Sequence, residues 1–154
     1  MTRKGIFIDA NLLVLLVVGA TDQALISKHR RLRTFMVEDY GRLVELIEQA
    51  AGQVFLTPNT LTEASNLLAQ HPNPERSRFF AVLRRIIGTN EEIIVESKTA
   101  SRNNAFVRLG LTDAALLEVI SEETPLVTVD LDLFVAAFAE GKVAALNFTH
   151  LQAL

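Results

Sequence analysis

The sequence has no cysteine and no tryptophan, a single tyrosine and three histidines. Without cysteine there are no disulfides and no thiolate metal sites, so any metal ion must be held by oxygen ligands or by the histidines. Oxygen ligands favour Mg²⁺ or Mn²⁺. The lack of Trp and the lone Tyr40 leave little aromatic surface for stacking nucleobases, although nine phenylalanines keep that route open. A charge excess is also missing. Fifteen basic and 18 acidic residues give a formal charge of −3 and a pI near 5.6. That balance offers no global attraction to nucleic acid, so binding of that kind needs local patches. Residues 12–18 form an apolar run, but it falls far short of the roughly 20 residues that span a bilayer. Arg3 and Lys4 followed by this run and by Gly19 and Ala20 imitate a secretory signal, which Asp9 and Asn11 interrupt. The expectation is a cytoplasmic protein with no transmembrane segment.

What is present fits one domain. A chain of 154 residues and 17.0 kDa is long enough to bury roughly two-thirds of its unfolded surface in one core. Hydrophobic residues make up 49% and the mean hydropathy is +0.27, rich for a small monomer. The excess points to a helix face covered by a partner, with a homodimer the default expectation. The leading candidate face is a helix over residues 35–51, where Met36, Tyr40, Leu43, Ile47 and Ala50 keep a three-to-four spacing.

Strand and helix patterns alternate along the chain. Ile6, Phe7 and Ile8 are an unbroken apolar run, as expected of a strand buried on both faces, and a helix opens at Ala10. A turn is expected at residues 19–22. Strands are expected at residues 54–56, 92–96, 126–129 and 143–148, with helices at 61–70, 75–87, 97–107, 112–122 and 133–140 between them. Such alternation implies right-handed crossovers and a parallel sheet, hence a three-layer α/β/α domain of about five parallel strands.

Four acids fall at or within a turn of a helix start after a strand: Asp9, Glu63, Asp113 and Asp130. Each has an ordinary structural role available. Asp9 can cap its helix, Glu63 has capping-box spacing to Thr60, and Asp113 follows a cap at Thr112 and sits at the positive end of a helix dipole. Converging on the carboxyl edge of a parallel sheet, where ligands bind, the four would instead make a divalent-cation site. Two basic patches accompany them. Lys28, Arg30, Arg31 and Arg33 form one, and Arg76, Arg78, Arg84 and Arg85 the other. Each reads either as a solvated face or as a phosphate-binding surface.

Four segments together resemble the PIN-domain (PilT N-terminus) nucleases, in particular the VapC-like toxin branch. FIDANLL at residues 7–13 is similar to the family's opening strand with its first acid and asparagine. TPNTLTEASNLL at 57–68 is similar to the helix bearing its glutamate. LGLTDAALL at 109–117 resembles the segment with the third acid, and LVTVDLDLF at 126–134 the closing threonine-x-acid-x-acid motif. The resemblance implies a PIN-like fold in which Asp9, Glu63, Asp113 and Asp130 hold one or two Mg²⁺ or Mn²⁺ ions, with Asn11, Thr128 and Asp132 in support. It implies hydrolysis of single-stranded RNA, with Arg30, Arg31, Arg33, Arg84 and Arg85 as candidates to hold the strand, and an antitoxin protein as a possible partner. The chain departs from the family pattern at Ala10, where many relatives carry a hydroxyl, and in residues 21–33, a segment longer than in compact toxins.

Two other functions are compatible with acids at strand ends. One is a Mg²⁺-dependent phosphoacceptor domain. Its haloacid-dehalogenase form needs a second aspartate where Asn11 stands. Its receiver form needs an early acid pair, which is missing, and a late lysine, for which Lys142 is a poor candidate. The other is a PIN-like fold kept as a non-catalytic binding module.

Overall fold

The computed structural model describes residues 4–141 and 145–152. Arg3 and Lys142, named above, and the first two residues of the strand expected at 143–148 lie outside the described residues. Five strands, β1 (Ile6–Ile8), β2 (Val54–Leu56), β3 (Glu91–Glu92), β4 (Leu126–Thr128) and β5 (Ala145–Asn147), form one sheet in the order β3-β2-β1-β4-β5, and every pair is parallel. Between them run α1 (Ala10–Thr21), α2 (Val37–Gln49), α3 (Pro58–Leu68), α4 (Glu75–Thr89), α5 (Ser97–Ser101), α6 (Phe106–Leu109), α7 (Leu111–Val119) and α8 (Leu131–Ala139), with α9 (Phe148–Gln152) after β5.

The central strands alternate their side chains between two apolar clusters. Ile6, Ile8, Val54, Leu56 and Val127 pack with α1 through α4 on one face, through residues such as Leu13, Leu43, Leu68 and Phe79. Phe7, Phe55 and Leu126 pack on the other face with Leu116 and Leu117 of α7 and with Leu133, Ala136 and Ala137 of α8. This is the expected three-layer α/β/α arrangement around a five-stranded parallel sheet. It also explains why the strands read as continuous apolar runs, since neither face meets water.

Several element boundaries differ from the sequence reading. α1 runs through Gly19 to Thr21 rather than turning at residue 19. Gly19 is needed there because a Cβ would overlap the ring of Tyr40. α2 starts at Val37, and Met36, expected on its buried face, precedes it at 67% exposure. β3 comprises only Glu91 and Glu92, because the β-branched run after it leaves the sheet and Ile94 is 78% exposed. The helix expected over residues 97–107 is two short ones, α5 and α6. α7 follows Gly110, whose φ of 89° breaks the chain from α6, so Thr112 lies inside the helix instead of capping it. Residues 21–33 carry two 3-10 helices, Gln23–Lys28 and Arg30–Leu32.

Candidate metal centre

β1 and β4 are neighbours, and the strand order reverses between them. The helices leaving their carboxyl ends diverge, α1 to one face and α8 to the other. In open parallel sheets such a reversal is the position where ligands bind. Asp9 ends β1 and Asp130 follows β4, so both acids stand at that edge.

Asp9 is almost completely buried, at 5% exposure. Its Oδ1 accepts the Leu12 amide at 2.8 Å, which caps α1. Its Oδ2 accepts the Thr128 hydroxyl at 2.5 Å and the Val129 amide at 2.8 Å. Oδ1 thus caps the helix while Oδ2 is anchored to the end of β4. Three donors occupy both Oδ2 lone pairs and one of Oδ1, leaving one Oδ1 lone pair. Burial pushes the Asp9 carboxyl above its usual range, the charge of Asp130 adds to this, and the three hydrogen bonds act in the opposite direction.

Thr128 joins the two strand ends. Fully buried, it donates to Asp9 and accepts the Asp130 amide at 2.9 Å. Asp130 caps α8 by accepting the Leu133 amide on Oδ1 at 3.2 Å. Its Oδ2 takes no hydrogen bond among the described residues.

Asp113 is the third residue of α7 and is half-buried. Its carboxyl is pushed up to about 7, first by burial and then by the charges of Asp130, Glu63 and Asp9. All three other acids therefore lie within electrostatic reach of it, and no hydrogen bond offsets their repulsion among the described residues. Glu63 is exposed on α3. Its capping-box role does not hold. The cap is Thr57, whose hydroxyl accepts the Thr60 amide at 3.1 Å with Pro58 in the first helical position, so α3 begins three residues earlier than expected. Glu63 instead lines a groove of about 350 Å³ between α3 and α7, with Asn59, Thr62 and Asn66 on one side and Leu111 and Thr112 on the other. The amide and hydroxyl side chains of this groove were missed from the sequence. Residues 59, 62, 63 and 66 have the spacing of one polar helix face, which is the signal that could have found them.

The remaining expected site residues are placed unevenly. Thr128 belongs to the network. Asn11 is exposed in the first turn of α1 and makes no hydrogen bond through its side chain among the described residues. Asp132 is exposed in the first turn of α8, and its charge is not among those raising Asp113. Arg30, Arg31 and Arg33 are exposed. Arg31 Nε donates to Gln70 at 3.2 Å, beyond the end of α3 and roughly 10 Å along the helix direction from Glu63. Arg84 and Arg85 are exposed on α4.

The donor set suits a hard cation. Asp113, Glu63 and Asp130 Oδ2 offer unspent carboxylate lone pairs, and their mutual repulsion is what a divalent ion would relieve. Among the described residues no group of three or more His, Asp or Glu side chains is arranged to hold a metal ion as it stands. Coordination would thus require the carboxylates to draw inward or to act through water. No protein-family model, curated protein or solved structure matches the chain.

Proposed function

We propose that the protein is a Mg²⁺- or Mn²⁺-dependent ribonuclease that hydrolyses phosphodiester bonds of single-stranded RNA. The observation that carries this reading is the placement of the acids. Asp9 and Asp130 stand at adjacent strand ends joined through Thr128, at the reversal of strand order, and their charges and that of Glu63 all reach Asp113. A bound Mg²⁺ or Mn²⁺, one ion or two, would activate water and offset the charge that develops on phosphorus oxygens. The chain's own residues supply position. Thr128 and Val129 fix the Asp9 carboxylate, and Asp113, Glu63 and Asp130 present the free oxygens. In the reaction, the water oxygen bonds to phosphorus and gives up a proton as the bond from phosphorus to one ribose oxygen breaks, and the leaving ribose oxygen takes up a proton.

The resemblance to PIN-domain toxins extends this proposal to an antitoxin partner, the apolar excess of the sequence to a homodimer, and the short, acid-interrupted N-terminal run to a cytoplasmic setting. No helix among the described residues is long and apolar enough to cross a membrane. Arg30, Arg31, Arg33, Arg84 and Arg85 are proposed to hold the strand, because the acids themselves repel it. One observation favours a second reading, that of a non-catalytic binding module: no ready-made ligand set exists among the described acids. A cleavage assay decides between them. Single-stranded RNA should be cut with Mg²⁺ or Mn²⁺, spared in EDTA, and spared by Asp9→Asn. Binding without cleavage at any cation concentration would favour the module, and cleavage that survives both EDTA and Asp9→Asn would displace the site.

A further inference from the structure

Two grooves flank α3, and Thr62 borders both. The first holds Glu63. The second, about 420 Å³, lies between α3 and α4. Its walls are the apolar Leu61, Phe80, Leu83 and Ile87, with the hydroxyls of Thr62 and Ser65 on one side and Arg84 on the other. The volume lies in the range of small-ligand sites, and an apolar lining with a few polar groups is the usual composition of such a site.

The α4 wall has a particular pattern. Arg76, Phe80 and Arg84 follow one another at intervals of four residues, which places them along one side of the helix. The Arg76 guanidinium stands over the Phe80 ring, 4.7 Å from its centre. Among the described residues no acid pairs with either arginine. An aromatic ring between two cations that lack acid partners is a surface matched to a base and its phosphate, and a poor match for a purely apolar helix.

We propose that the α3–α4 groove is a nucleotide subsite: a base of single-stranded RNA packs against Phe80 and its phosphate lies on Arg84, while the strand passes Thr62 into the groove of Glu63. This rests on the reading of the protein as an RNA hydrolase, but its test is separable. Binding of a fluorescein-labelled single-stranded RNA octamer is followed by anisotropy over a NaCl series, in Glu63→Gln protein with Mg²⁺ so that turnover does not interfere. Adding Arg84→Ala should flatten the slope of log affinity against log salt by about 0.7, the value of one phosphate contact on a single strand. Arg84→Lys should keep the slope. Ser65→Trp, which fills the groove and leaves its charge, should weaken binding at unchanged slope. Parent-like binding by both Arg84→Ala and Ser65→Trp overturns the subsite even if the wild type cleaves RNA. The expected losses in a protein that never cleaves RNA uphold the subsite and overturn the hydrolase. No binding by the parent overturns the subsite and leaves the hydrolase to the cleavage assay. If Ser65→Trp changes the sedimenting mass and leaves RNA affinity intact, the groove seats a second copy of the chain and the proposal fails.

Discussion

At Asp113 a helix-starting acid and a member of a carboxylate cluster behave in opposite ways. Its carboxyl titrates near 7 in the folded chain, against about 3.8 when unperturbed. Between those values the folded state holds a proton that the unfolded state has released, so stability without metal falls as pH rises from about 4 to about 7 and then levels. The loss is smaller than about 1.4 kcal/mol per pH unit of displacement would give, because Asp113 is only half-buried and solvent screens its charge. Urea denaturation in EDTA should show this decline in the wild type and a flatter profile in Asp113→Asn, which at pH 8 should be at least as stable. A variant weaker at pH 8 by roughly 0.3–1 kcal/mol would return Asp113 to a dipole role alone. Thr128 gives a second check. Thr128→Val strands the Asp130 amide and strips a donor from buried Asp9, at a cost of about 1–3 kcal/mol, and Thr128→Ser should restore most of it, as read from denaturation midpoints. Asp9 and Asp130 were legible because an acid directly after an apolar strand run has few other places to be, whereas Thr128 entered only through the resemblance to the PIN-domain closing motif. The Val129 amide was not legible, because a backbone donor leaves no mark in the sequence.

Elements were legible where burial alone decided them. β1, β2 and β4 are apolar runs covered on both faces. The residues around β3 show the opposite case. Ile93, Ile94 and Val95 have strand composition, yet pairing reaches only Glu91 and Glu92, with one further bond from the Ile93 amide to Leu56. Helix starts went astray where two signals competed. Thr60 and Glu63 fit a capping box, but Thr57 followed by Pro58 supplies both a side-chain acceptor and a preset first turn. That outcome matters for function, since it frees Glu63 from the backbone. At the start of α2, Asp39 is buried and accepts the Met36 amide at 2.7 Å and Arg42 at 2.9 Å. Gly110 holds α7 and with it Asp113. Gly110→Ala should therefore cost about 1 kcal/mol or more, because its φ of 89° suits no L side chain. Thr112→Ala should stay within about 0.5 kcal/mol if Thr112 is not the cap. Equal losses in thermal melts would restore Thr112 as the cap.

For the whole molecule, the apolar excess noted in the composition is largely absorbed by two clusters on either side of the sheet. What is left over lies less on α2 than on α8, where Leu131, Val135 and Phe138 are exposed at intervals of four and three residues. If the chain dimerises as proposed, α8 is the better seat. Light scattering should then give twice 17.0 kDa for the wild type and a monomer for Phe138→Glu, whereas a monomeric wild type at micromolar concentration would remove the dimer. If acids from four separate segments form one divalent-cation site, as proposed, calorimetric titration with Mn²⁺ near pH 6.5 should detect it. Asp113 is largely protonated there, so binding should expel a proton, visible as heat that varies with the ionisation enthalpy of the buffer. Mn²⁺ should bind the wild type with proton release, the release should fall in Asp113→Asn, and binding should weaken in both Asp113→Asn and Asp9→Asn. Absence of binding in the wild type, or binding indifferent to both substitutions, would contradict the proposed site.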